Sequence, residues 1–519
     1  MTLTSEASLT GARRRGLLVP LMALSSLAQA ANGADEALVR GLQQQLQQVQ
    51  TALQQLAEEN RALREHQEEL DRKVAELSGA RSPATPAGGA GAVAALPPAG
   101  AAAANASALP SASQVQTASA LPGAGATATG PEGNLPTALG NGLRLWGYGE
   151  VYYTHPTGEP SESQFDLARA VFGIGYRFDE RTEFNSEYEI EHAVTSASDV
   201  GEFEVEQFYV DRRLNEALAV RGGLFLMPFG FINEHHEPTN FYGVQRNFVE
   251  TLIIPSTWRE GGVSLYGDTS AGFRWNVGLT TGFDLSKWSF TPEFPPYHNA
   301  LELEDSGIAP LQATHQELAL ANAHHLSQYL ALGYYGVPGL TVGAAVSTGE
   351  AVPVPAPPGT SSSGTPRVTL WEAHARWAPS RWDFSAIYSR GTISNTASAN
   401  VANPGSPNPL PATFYGYYLQ GAYQLWQRGD YRLNPFVRFE YYNMGASYEG
   451  TPGPVLPAGE VPLSPAAGDY GLWPQNHDRV WTAGANFYLG PHVVLKGDYQ
   501  WFELNPGFRR FDLGLGVSF

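Results

Sequence analysis

The chain has 519 residues, no cysteine, 16% charged residues, a formal net charge of −19, and 24 Tyr, 24 Phe, 11 Trp and 56 Gly. The missing thiols exclude thiolate metal centres and disulfide scaffolds, and the acidic balance argues against nucleic acid as a partner, because phosphate binding needs a basic surface. Past the first thirty residues no apolar run reaches the roughly 18 to 20 residues of a spanning helix, so a helical membrane protein is excluded and the aromatic, glycine-rich composition points to β structure.

Arg13, Arg14 and Arg15 precede the apolar "GLLVPLMALSSL", and Ala28-Gln29-Ala30 is a small-x-small cleavage site. This predicts a secretory signal peptide over residues 1–30. From Val39 the apolar spacing alternates between three and four through Leu42, Leu46, Val49, Leu53, Leu56, Leu63, Leu70, Val74 and Leu77, with Asn60 and Gln67 at the remaining seam positions. The pattern predicts a self-associating coiled coil over 31–78, its register and parallel orientation specified by Asn60, Gln67 and the Glu59 and Arg64 flanks. Leu at d with a mixed a layer leaves dimer and trimer both open. Residues 79–138 are Ala, Gly, Pro, Ser and Thr almost without charge or large apolar side chains. Such a stretch buries too little to offset ordering entropy, and is expected to be a disordered linker.

From Leu143 period-two segments recur, at about 143–154, 164–178, 181–194, 202–214, 217–227, 259–268, 272–283, 326–337, 340–349, 367–378, 381–391, 414–427, 432–443, 479–489, 492–503 and 508–519. Each has the ten or so residues of a tilted spanning strand. In "EFNSEYEIEH", Glu183, Asn185, Glu187, Glu189 and Glu191 share one face and Phe184, Tyr188 and Ile190 the other. Tight turns such as "FDER", "VPGL" and "QRGD" interleave with long connections. The fold class expected is all-β: a 16-stranded antiparallel transmembrane β-barrel over 139–519, preceded by the α-helical coiled coil and the linker. An even strand count brings both barrel ends to the short-turn side, so the stalk is expected in the periplasm. In the terminal "RRFDLGLGVSF", Phe511, Leu513, Leu515, Val517 and Phe519 alternate with polar or small residues. This strand is expected to close the barrel on the first one, with Phe519 in the interfacial girdle and serving as the signal for barrel-assembly machinery.

The stretches "FDLARAVFGIGYRF", "VRGGLFLMPFGF", "QRNFVETLIIPSTWREGGVSLYGD" and "NVGLTTGFD" resemble the phosphate-selective porin O and P family of Gram-negative outer-membrane porins. The resemblance implies a trimeric sixteen-stranded barrel in the cell outer membrane that passes small hydrophilic solutes and ions by diffusion, with anions such as phosphate among them. It also implies that residues 228–258 are the loop that enters and narrows the pore, carrying Glu234, His235, His236 and Arg246. The chain departs from the family's lysine-rich pattern, having Lys only at 73, 287 and 496.

Parity of the alternating segments turns Arg144, Arg169, Arg177, Arg274, Arg376 and Arg438 toward the lumen, with Glu183, Glu187, Glu189 and Glu191 beside them. Trp275, Trp371, Trp377, Trp382, Tyr417, Trp481 and Trp501 fall mostly on the lipid side. No Gly-x-Ser-x-Gly nucleophile motif appears, and an enzyme is not expected. His235-His236 and His324-His325 invite a metal reading, but neighbours on an extended chain point opposite ways and no ligand spacing completes a site, so neither metal nor cofactor is expected. Expected partners are two further copies of the chain, outer-membrane lipid, peptidoglycan touched by the stalk, and small solutes or anions. The alternative function is structural, a barrel tethering the envelope to the cell wall through its stalk.

Overall fold

The structure is a computed structural model that describes residues 142–193, 201–292, 307–355, 364–455 and 475–519. The expected signal peptide, coiled coil and linker lie outside these residues. Each alternating segment forms a strand: β1 (Leu143–Pro156), β2 (Gln164–Arg177), β3 (Thr182–Glu191), β4 (Phe203–Asn215), β5 (Leu218–Leu226), β6 (Arg259–Asp268), β7 (Phe273–Thr281), β8 (Leu326–Val337) and β9 (Leu340–Glu350). There follow β10 (Arg367–Trp377), β11 (Trp382–Ile393), β12 (Pro411–Tyr423), β13 (Trp426–Arg428), β14 (Tyr431–Tyr448), β15 (His477–Leu489), β16 (Val493–Phe502) and β17 (Arg510–Ser518). β13 is a three-residue piece that resumes β12 after a break and pairs with the same neighbour, β14. The described residues therefore build sixteen staves from seventeen segments.

Every stave pairs antiparallel with its neighbours in sequence, and β1 pairs antiparallel with β17, from Tyr148↔Ser518 to Pro156↔Arg510. Gly147 and Phe519 extend this seam by exchanging backbone hydrogen bonds of 2.8 and 3.0 Å. The sheet is closed, so no strand edge is left to pair with another chain. One rim carries the tight turns, among them 178–181, 216–217, 338–339 and 429–430, and the other carries the long connections 227–258, 282–325, 351–366, 394–410 and 449–476.

The outer face is apolar: Phe172, Val263, Val277, Leu330, Leu419 and Leu513 are exposed along its middle. Phe178, Phe273, Trp377, Trp382, Trp426 and Tyr431 lie exposed toward the turn rim, and Phe165, Phe203, Trp371, Trp481 and Trp501 toward the long-loop rim. An apolar band bounded by two aromatic belts is what a strand wall presents to lipid. The inner face carries buried polar side chains on β1 to β4 and again on β14 to β17, and it also packs a dry cluster. Phe229, Phe248, Leu252 and Ile253 of the 227–258 loop and Leu285, Trp288 and Leu311 of the 282–325 loop join Leu370, Ile387, Phe414, Tyr442 and Phe502 of the wall in one buried core. Long loops thus fold inward and supply the hydrophobic contents that a hollow barrel lacks.

Candidate functional site

Two local devices shape the interior. On β2, Gly173 faces inward beneath the indole of Trp146, where an added Cβ would lie 1.8 Å from the ring. Without a side chain there, or at Gly175, where an added Cβ would meet Arg144 Nε and Asn185 Oδ1 at 3.2 Å, β1 reaches over β2 to β3: Trp146 Nε1 donates to Glu187 at 2.5 Å, and Arg144 Nη2 donates to Glu183 at 2.7 Å and to Asn185 at 3.0 Å. On β17, an added Cβ at Gly514 would meet Val244 at 3.0 Å and one at Gly516 would meet Pro238 at 2.5 Å. The 228–258 loop lies against this glycine stripe.

That loop is pinned around the wall. Tyr148 Oη and His236 Nε2 are 2.6 Å apart, Arg169 donates to the His236 carbonyl, and Thr239 meets Ser518 at 3.4 Å. Arg438 donates to the Tyr242 carbonyl at 3.0 Å, Asp498 accepts the Val244 amide at 2.6 Å, and Glu440 accepts that of Phe248 at 2.8 Å. Inside the loop, Glu250 accepts the amides of Phe231 and Ile232 at 2.5 and 2.8 Å and the Asn247 side chain at 2.7 Å. These bonds hold the short helical turn Val249–Ile253 against its own loop entrance.

All six wall arginines singled out by parity stand beside carboxylates: Arg144 with Glu183 at 2.7 Å, Arg169 with Glu150 at 2.8 Å, Arg177 with Glu183 at 2.5 Å, Arg274 with Asp268 at 2.7 Å, Arg376 with Asp383 at 2.8 Å and Arg438 with Glu440 at 2.6 Å. Arg177 and Arg274 are half exposed near the turn rim, while the others are buried. The seventh, Arg246 on the loop, differs. Its Nη1 donates to Ser256 Oγ at 2.6 Å and Thr257 Oγ1 at 2.8 Å, and it makes no ion pair among the described residues. Burial and the neighbouring Arg169 hold its pKa below the ordinary arginine value. Of the remaining expected residues, Glu187 accepts from Trp146 and Gln207. Glu189 is 2% exposed and has no hydrogen bond or ion pair among the described residues. Glu234 is exposed, His235 half-buried and His236 buried.

Glu150, Arg169, Glu189, Glu191, Glu204, Arg246, Arg259 and Glu317 line a polar cavity of about 140 Å³ between β1 to β4 and the loop. Arg259 is shared by Glu204 and Glu317, the latter at 2.9 Å. Sequence parity did not supply Glu206, which is fully buried 2.9 Å from His236. A bulge where Glu187↔Gln207 gives way to Tyr188↔Val205 turns both Glu206 and Gln207 inward. The signal was available, since strict alternation would have put a carboxylate in lipid. Glu150, Asp383, Lys496, Asp498 and Asp512 follow the regular alternation and are equally buried on the inner face.

No family model matches the chain. A protein of Aquifex aeolicus (strain VF5), described as uncharacterized, is 28% identical over 381 residues, which is 71% of this chain and 78% of that one. Among solved structures, Salmonella typhi OmpF in complex with daunomycin aligns with a TM-score of 0.48 and 12% identity, covering 74% of this chain and all of that one. The anion-selective porin from Comamonas acidovorans aligns at 0.43 and 12%, covering 73% and 99%. The outer membrane channel DcaP of Acinetobacter baumannii aligns at 0.41 and 9%, covering 73% and 97%.

Proposed function

We propose that the chain is an outer-membrane porin, a diffusion channel for small hydrophilic solutes and ions whose barrel is narrowed by the 228–258 loop. The observation that carries this reading is the opposition of the two faces: an apolar, aromatic-belted exterior and a charged interior. Water-filled barrels need that combination, and the charges of the wall then set which ions pass. A phosphate-selective ladder would need cations free to meet the ion. The pairing of all six wall arginines works against it, and a wall with both signs supports weak ion selectivity instead. Assembly as a trimer, with the N-terminal stalk in the periplasm, is part of the same reading.

Single-channel recording with reversal potentials in asymmetric KCl tests it. Discrete, ohmic steps with a reversal potential well below the ideal Nernst value are expected. A barrel that assembles but carries no current would refute the channel.

A further inference from the structure

The cavity beside β1 to β4 holds charges of both signs, but most are already committed. Arg169 is taken by Glu150 and the His236 carbonyl, and Arg259 by Glu204 and Glu317. Two are not. Glu189 projects from β3 into the cavity, 2% exposed, with Oε1 buried and unpartnered. Arg246 projects into it from the loop, fixed by two hydroxyls that neutralise nothing, while its Nε and Nη2 donate no hydrogen bond among the described residues. A buried carboxylate without a donor costs free energy unless something supplies one, and a guanidinium with an idle edge matches a carboxylate in bidentate fashion. The two sit on different elements, one on the rigid wall and one on the loop, and both elements are fastened independently of any ligand.

We propose that this cavity is a subsite for small solutes carrying both an ammonium and a carboxylate group, Glu189 taking the ammonium and Arg246 the carboxylate. The proposal rests on the channel reading and refines it from size-limited diffusion to preference for zwitterions. Ser256 and Thr257 orient Arg246 without consuming its charge, and Arg169 and Glu150, paired with each other, leave each uncommitted group facing the solute. A solute with only one of the two charges leaves the opposite protein charge unmatched, so it gains little.

The test is interruption of the KCl current through the full chain in a planar bilayer by glycylglycine, compared with acetate, methylammonium, inorganic phosphate and glycerol. Glycylglycine should interrupt the current at a concentration about tenfold lower than acetate or methylammonium, the worth of one charge-assisted hydrogen bond. Glu189→Gln and Arg246→Gln should each raise that concentration about tenfold, and Arg246→Lys should recover part of the loss. Acetate or phosphate acting as well as glycylglycine in the unsubstituted channel, or full block by glycylglycine in both Gln variants, would overturn the subsite while leaving the channel intact. Absence of any current refutes the channel reading instead. The comparison among solutes in the unsubstituted chain decides even where a variant fails to assemble.

Discussion

Arg376 and Asp383 meet across the β10–β11 pair through parallel hydrogen bonds of 2.8 and 3.0 Å, with little of either side chain open to water. Such a pair contributes little net stability over an apolar substitute, yet losing one member leaves a buried charge uncompensated, at a cost of about 3 to 5 kcal/mol. Arg376→Met is therefore expected to lower the urea midpoint of the detergent-solubilised barrel sharply, and Arg376→Met with Asp383→Leu to recover most of it. His315, in the 282–325 loop, is a second case. Burial, aided by Arg259 and Lys287 and opposed by Glu317, pushes its imidazole down to about 4. A base whose folded pKa lies below its unfolded value of roughly 6.5 contributes stability that is complete above the unfolded pKa and drains away as pH falls toward the folded one. Docking of this loop should weaken by about 3 kcal/mol between pH 6.5 and 4. His315→Gln should flatten that dependence, as read by protease cleavage of the loop at pH 7 and pH 4.5.

At the scale of elements, the inward loop and the strand it leans on are cut to fit. Gly516→Val would place its side chain on Pro238, already 2.5 Å from the position of an added Cβ. The loop should be displaced at a cost of about 1 to 3 kcal/mol, seen as a lower temperature of heat modification together with larger or noisier conductance steps. Gly514→Ala, facing a Val244 methyl at 3.0 Å, should be milder. The strands were legible in the sequence because one lipid face and one wet face impose a period of two that single residues report, and bounds such as Arg259–Asp268 and Leu326–Val337 could be read directly. The break between β12 and β13 was not, since Gln424 and Leu425 continue the alternation. Placement of Arg144 and Glu187 on one face was also legible, but their partners were not: Arg144 bonds Glu183 across an intervening strand, passing over Gly175, where an added Cβ would lie 3.2 Å from its Nε. The dry cluster inside the barrel escaped for a related reason. Loop residues such as Phe248 and Leu311 carry no periodicity, and their burial is decided by distant strands.

For the molecule as a whole, the strands of the described residues close into one sheet, with the seam formed by β1 and β17. A fragment beginning at residue 139 is expected to refold in detergent and give the unit conductance of the full chain in planar bilayers. If the proposed trimer is held in part by the proposed stalk, removal of residues 1–138 should show only in the heat resistance of the oligomer on gels. A fragment that assembles without conducting would mean that the N-terminal residues shape the passage.

The way the 228–258 loop straddles the seam has a consequence for how the cylinder closes. Its His236 is held by β1 and β2, its Thr239 touches β17, and Val244 is held by β16. Two strands joined only by their backbones could slide past each other by two residues and still keep every side chain on its proper face. Here a slide of that size would carry Gly516 away from Pro238 and bring a hydroxyl or a carboxylate beneath the loop. The loop behaves as a key cut for one lock, so the stagger of the finished cylinder is selected by a segment that crosses neither rim of the seam.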